Sequence, residues 1–197
     1  MKRLTKLMSV FAAGALFMGA LAGCGGSKDA GKAGDTIKVG ALLEMTGGSA
    51  SFGMSSKNGI DLALKKINEK GVLGGKKLSL VVADTKSEAS EATNGMQKLV
   101  SQDKVVAVIG PNQSSAVIAA GAINNGSKVL GITPMGTNPD VTVDPKTKKT
   151  KEYNFRACFI DPFQGTVMAN YAFKELKVKK AAILVDNTSD YAKGLTQ

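Results

Sequence analysis

The sequence predicts an α/β protein built on a doubly wound parallel sheet. Three observations carry that prediction. From residue 37 onward short apolar runs alternate with stretches whose apolar residues recur at helical spacing. The short runs are continuously apolar rather than alternating, as strands covered on both faces are. The composition, 43% hydrophobic and 21% charged over 197 residues, is that of a chain able to bury a core.

Ile37 to Leu43 reads as the first strand. Ser55 to Lys70 follows as a helix, with Ile60, Leu64 and Ile67 on one stripe and Gly71 as its stop. Leu78 to Ala83 is the second strand, and Ser87 to Gln102 a helix carrying Ala89, Ala92, Met96, Leu99 and Val100 on one side. Val105 to Ile109 is a third strand, Ser114 to Asn124 a helix and Val129 to Ile132 a fourth strand. Pro162 to Leu176 is expected to be helical with Phe163, Val167 and Leu176 inward, and Ala181 to Val185 to be a strand. Strands joined through helices imply a parallel sheet with right-handed crossovers and helices on both faces.

The residues before this alternation read as an address. Lys2, Arg3 and Lys6 precede Leu7 to Ala22, an uncharged run shorter than the ~20 residues of a bilayer span. Leu21-Ala22-Gly23-Cys24 resembles the lipobox of bacterial lipoproteins, which implies cleavage before a lipid-bearing Cys24. The plainer reading is a cysteine at the end of a membrane helix, which leaves the shortness of the run unexplained. Residues 1 to 23 are therefore expected to be a signal peptide and residues 24 to 36, small and polar, a flexible tether.

The formal net charge is +10, and loss of residues 1 to 23 removes Lys2, Arg3 and Lys6 and no acid, leaving +7. The one lysine cluster, Lys146, Lys148, Lys149 and Lys151, has no interleaved aromatics to stack on bases, so it reads as a solvated loop and no nucleic-acid partner is expected. The chain has no histidine and two cysteines, which excludes His-based catalysis and His-containing or all-Cys metal cages. No cofactor, metal or catalytic residue is expected. Gly121 to Lys128 looks like a phosphate loop with its last two letters exchanged. It follows a helix instead of a strand, so its glycines are expected to end that helix. Cys158, between Phe155 and Phe159, reads as a buried inert thiol.

In a doubly wound sheet ligands bind beyond the carboxyl ends of the strands. The loops at those ends are rich in glycine, hydroxyls and amides and nearly free of lysine. Ser114 and Ser115 open a helix, so their hydroxyls and the unpaired amides of its first turn could hold a small carboxylate. Capping by Ser114 is the plainer reading. Thr137 could add a hydroxyl, or serve only the turn before Asn138-Pro139. Phe52 and Tyr191 are loop aromatics that could sandwich an aliphatic side chain; ordinary packing for Phe52 and a helix-start staple for Tyr191 are the alternatives.

With those residues named, the chain resembles the type I periplasmic solute-binding proteins, specifically the branched-chain amino-acid receptors of ABC importers. The resemblance covers residues 37 to 197 and rests on six fragments in the family's order. They are Ile37-Lys38-Val39-Gly40 with Thr46-Gly47 and Phe52-Gly53; Asn68 to Gly75 with Lys76-Lys77-Leu78; Val108-Ile109-Gly110 with Ser114-Ser115; Ile132-Thr133-Pro134 with Thr137-Asn138-Pro139; Phe155 to Cys158 with Gln164-Gly165; and Tyr191 to Leu195. It implies two α/β lobes joined by three crossing strands and closing on the ligand by a hinge. It places carboxylate-binding hydroxyls on Ser114 and Thr137, a backbone group for the ligand's ammonium on Met135, and aromatic walls on Phe52 and Tyr191. Phe52 stands where a tyrosine is common, so a hydroxyl contact is lost there.

On this resemblance residues 37 to 155 form most of a first lobe and residues 156 to 197 only the start of a second. Two lobes need roughly 250 to 300 residues, so the chain reads as a fragment that would bind weakly alone. The implied function is capture of a small amino acid and its delivery to ABC permease subunits by a lipid-anchored protein outside the cytoplasmic membrane or in the periplasm. A ligand-sensing regulatory domain of the same fold, binding another small molecule such as an amide, is the alternative. An enzyme is disfavoured because the strand ends lack histidine, a metal cluster and convergent carboxylates.

Overall fold

The computed structural model describes residues 36–71 and 74–196; the signal-peptide and tether expectations, Cys24 included, lie outside the described residues. Strand β1, Thr36–Leu43, starts half-exposed and is fully buried over its last four residues. It is followed by α1, Ala50–Lys70, which ends at Gly71 in the left-handed region with φ 65°. The helix begins five residues before the expected Ser55. The reason lies at Gly53, where a Cβ would collide with the backbone carbonyl of Glu44: the first turn rests directly on the end of β1, and its small residues disguise it as loop.

Strand β2, Lys77–Asp84, and helix α2, Ala89–Ser101, come next. Lys86 and Ser87 both take positive φ, 52° and 63°, which delays the start of α2 past the expected Ser87. Strand β3 is Ala107–Ile109 and helix α3 Ser114–Ser127. Helix α3 passes through Gly121 and Gly126 and ends at Lys128 with φ 56°, so those glycines lie inside the helix and do not terminate it as expected. Strand β4, Leu130–Thr133, leads through a 3-10 turn at Pro139–Val141 to β5, Asn154–Arg156, a short strand with no counterpart in the periodicity. Helices α4, Asp161–Lys174, and α5, Asp190–Leu195, complete the described chain.

The five strands are parallel, in the order β2-β1-β3-β4-β5. Helix α1 packs on one face, where Ile60 and Leu64 meet Ala41 and Leu43. Helices α2 and α3 pack on the other, where Ala92, Met96, Leu99, Ala116 and Ala120 meet Leu42 and Val108. Right-handed crossovers that reverse direction must change face, so the expected doubly wound sheet is present. Leu42, Met96, Leu99 and Val108 are fully buried, each contributing roughly 1.5 to 3 kcal/mol by leaving water.

Residues 181–185 are not a strand. They carry no regular structure, with Ile183 and Leu184 fully or mostly exposed. A strand of a parallel sheet needs a neighbour for its backbone groups, and among the described residues none pairs with this segment. Phe163, Val167 and Leu176, expected to face inward, are 60%, 49% and 59% exposed.

Candidate functional site

The chain winds outward from β1 in both directions, to β2 on one side and β3 on the other, and the crevice beyond the carboxyl ends of β1 and β3 is the topological switch point. A cleft of about 550 Å³ opens there, extended by the loops after β4 and β5 and by the start of α5. Ser114, Ser115, Met135, Thr137, Phe52 and Tyr191 all line it. A second hollow of about 330 Å³ lies under α1, lined mostly by apolar side chains such as Val39, Ile67 and Ile109, without convergent polar groups.

Glu44 builds one wall from below. Its carboxylate is fully buried and accepts from the Asn112 amide at 3.0 Å, the Gln113 amide at 3.1 Å and Asn112 Nδ2 at 2.8 Å. These bonds pin the turn between β3 and α3. The turn itself needs Gly110, whose φ is 98° and where a Cβ would strike the Leu42 carbonyl. Gln113, the N-cap residue, makes no side-chain cap and sends Nε2 to Ser49 Oγ at 2.8 Å. Ser114 is the first helical residue, not the cap; its hydroxyl accepts from the Asn138 amide at 3.3 Å and it is 4% exposed. Ser115 beside it is half-buried.

The opposite wall is the loop after β4, held by Arg156. Its guanidinium donates to the carbonyls of Gly136, Thr137, Asn138 and Pro139 at 2.9 to 3.2 Å and to Thr142 Oγ1 at 2.7 Å. Thr133 Oγ1 donates to the Pro111 carbonyl at 2.6 Å and receives the Gly136 amide at 2.8 Å, tying this loop to the one after β3. The Met135 amide donates to the same hydroxyl at 3.3 Å. With its amide so engaged, Met135 has its backbone carbonyl, an acceptor, left to offer the cleft. Asp84 anchors the loop after β1. Burial pushes its carboxyl up, but donation by the Thr46 hydroxyl at 2.7 Å and by the Lys86, Thr46 and Met45 amides outweighs this and holds it below the usual range.

The third side comes from the segment after β5. Asp161 is completely buried at the first turn of α4, packed against Gly194 of α5, and its amide donates to the Thr137 carbonyl at 3.1 Å. Burial raises its pKa; the Thr137 hydroxyl and the charge of Arg156 act in the opposite sense, yet neither carboxyl oxygen completes a hydrogen bond of ordinary geometry among the described residues. Ser189 caps α5 by accepting from the Ala192 amide at 3.2 Å, and Asn138 Nδ2 reaches the Asp190 carbonyl at 2.6 Å. Tyr191, 39% exposed, donates its hydroxyl to Gln164 Oε1 at 3.2 Å. Phe52 is 51% exposed, so the core-packing alternative does not describe it.

Two expectations are corrected here. Cys158 is half-buried and lines the cleft, and its neighbours Phe155 and Phe159 are exposed; burial still raises the thiol pKa, with Arg156 lowering and Asp161 raising it. Lys146, Lys148 and Lys149 are exposed as expected, but Lys151 is half-buried and donates to the Asp140 carbonyl at 2.5 Å. Sequence reasoning passed over Glu44, Arg156 and Asp161. The signal for each was a lone charge set against an apolar run, in Leu42-Leu43-Glu44, Phe155-Arg156-Ala157 and Phe159-Ile160-Asp161.

A family model described as periplasmic binding protein matches residues 36–197. An amino acid binding protein of Pseudomonas aeruginosa is 36% identical over 159 residues, and a Leu/Ile/Val-binding protein of Rhizobium johnstonii 34% identical over the same length. Each alignment covers 81% of this chain and 41% of the relative, so the chain spans about two fifths of the length of the curated relatives it matches. Among solved structures, the leucine binding protein LivK of Thermotoga maritima is similar with a TM-score of 0.73 and 38% identity, over 81% of this chain and 43% of its own. The branched-chain amino acid transporter substrate binding protein LivJ of Streptococcus pneumoniae, solved in complex with isoleucine, is similar with a TM-score of 0.75 and 39% identity, over 82% of this chain and 44% of its own.

Proposed function

The chain belongs to the periplasmic binding protein family, and from that premise we propose that it captures a small amino acid, with a branched aliphatic side chain, in the strand-end cleft. The observation that carries the reading is the convergence of the six residues on one cleft. Ser114, Ser115 and the first amides of α3 offer hydroxyls, N–H groups and the positive end of a helix to a carboxylate. Thr137 faces them from the second wall, and the Met135 carbonyl accepts from the ammonium. Phe52 and Tyr191 supply apolar surface for the side chain. The bound amino acid is passed to the permease subunits of an ABC importer, without chemical change, by a protein exported and held outside the cytoplasmic membrane through a lipid on Cys24. Residues 37 to 155 act as one wall-bearing lobe and residues 156 to 197 belong to a second.

Amide spectra of the 15N-labelled chain, titrated with each of the twenty amino acids, test the proposal. Leucine, isoleucine and valine should shift the resonances of Ser114, Ser115 and Thr137 saturably. Shifts caused by small amides and by no amino acid would favour the sensing alternative; shifts by neither would remove the cleft from consideration.

A further inference from the structure

Among the described residues Glu44 is the only carboxylate that supports the β3–α3 turn, and its hydrogen-bond partners are all neutral. Two backbone amides and one side-chain amide satisfy it, and among the described residues no lysine or arginine forms an ion pair with it. Both carboxyl oxygens accept, Oε1 from two backbone amides and Oε2 from Asn112 Nδ2, the pattern of a carboxylate, so a charge without an ion-pair partner is buried directly behind the amino end of α3, in surroundings where charges are weakly screened. By occupying the Asn112 and Gln113 amides, it also leaves Ser114 and Ser115 as the first donors facing the cleft.

We propose that Glu44 is a positioning residue and a charge filter for this cleft, which rests on the reading of the cleft as an amino-acid site. As a positioning residue it presets the turn so that the Ser114 and Ser115 donors converge. As a filter it opposes the helix end: a ligand that brings only a carboxylate meets the Glu44 charge uncompensated, whereas a zwitterion brings its own ammonium. The selected substrate class is then the zwitterionic amino acid, discriminated against the corresponding simple carboxylic acid. The orphan role that a buried acid would otherwise have, a structural clamp alone, predicts no such discrimination.

The test compares wild type with Glu44→Gln, which keeps an acceptor oxygen and removes the charge, for binding of leucine and of 4-methylpentanoate, its analogue without the amino group. The preference for leucine should fall roughly tenfold in Glu44→Gln, the order expected for removing one weakly screened charge near the ligand. An unchanged preference, even with both affinities lowered, would overturn the filter. If leucine fails to bind the wild type, the amino-acid reading fails; titration with acetate then decides the filter separately, since Ser114 and Ser115 amide shifts must be larger in Glu44→Gln and equal shifts overturn it. Should the variant not fold, hydrogen exchange of the wild type decides the positioning role: the Asn112 and Gln113 amides must be protected, and exchange at open-loop rates overturns it.

Discussion

Removing the Ser114 hydroxyl by Ser114→Ala takes one donor from the proposed carboxylate site and one long acceptor contact from the Asn138 amide. Hydrogen bonds to charged groups contribute about 1.5 to 3 kcal/mol, so binding of leucine should weaken by that amount in calorimetry. The 3.3 Å contact is a marginal one, and the melting temperature should move by only a few degrees. Asp161 has a different consequence. Its ordinary pKa is 3.8 and burial raises it in the folded protein, so the folded state keeps its proton to higher pH than the unfolded chain does. Stability therefore falls as pH rises through the interval between the two values, and the loss is complete above the folded one. Asp161→Asn carries no such ionisation penalty, so its stability relative to wild type should rise with pH through that interval and be greater at pH 7 than in acid. Urea denaturation should show this gain shrinking on acidification and levelling off below the unfolded value. That Ser114, Ser115 and Thr137 line one cleft was legible because loops beyond the carboxyl ends of parallel strands converge at the switch point. Glu44 and Arg156 were not, since most of their partners are backbone groups of loops distant in sequence, which side-chain letters do not encode.

Elements with their own hydrophobic period were read to within a few residues, and those defined by a neighbour were not. Strand β5 exists because Asn154, Phe155 and Arg156 pair with Gly131, Ile132 and Thr133, and three residues are too few to show a period. The converse error fell at 181–185, where an apolar run of strand-like letters has no partner strand among the described residues. Position 121 controls how close α3 comes to β5. A Cβ there would collide with the Asn154 side-chain nitrogen, which is buried and bonded to the Gly121 carbonyl at 3.3 Å, while Asn154 Oδ1 accepts from Asn124 at 3.2 Å. Gly121→Ala should thus cost about 1 to 3 kcal/mol through overpacking, although alanine is the better helix former by ~1 kcal/mol. A lower urea midpoint with an unchanged slope would be the signature.

Across the whole molecule, burial is uneven. Helices α2 and α3 share a core, while α4 exposes Phe163, Val167, Met168, Tyr171 and Phe173. Local opening is governed by buried apolar contact, so amides of residues 161–174 should exchange markedly faster than those of residues 114–127 when followed by mass spectrometry or NMR. Equal protection in the two helices would mean that α4 finds cover that the described residues do not supply. The strand order carries a different consequence, for the sequence of events in which the chain acquires its shape. Among the described residues the first strand made is a central one, flanked by β2 and β3. As the chain grows from its amino end, β1 can satisfy one edge once β2 has emerged, but its other edge stays bare until Ala107–Ile109 arrives. An open edge on an apolar strand is an invitation to pair with the wrong chain, so the nascent polypeptide is most in need of a holding partner during the interval in which α2 is being made.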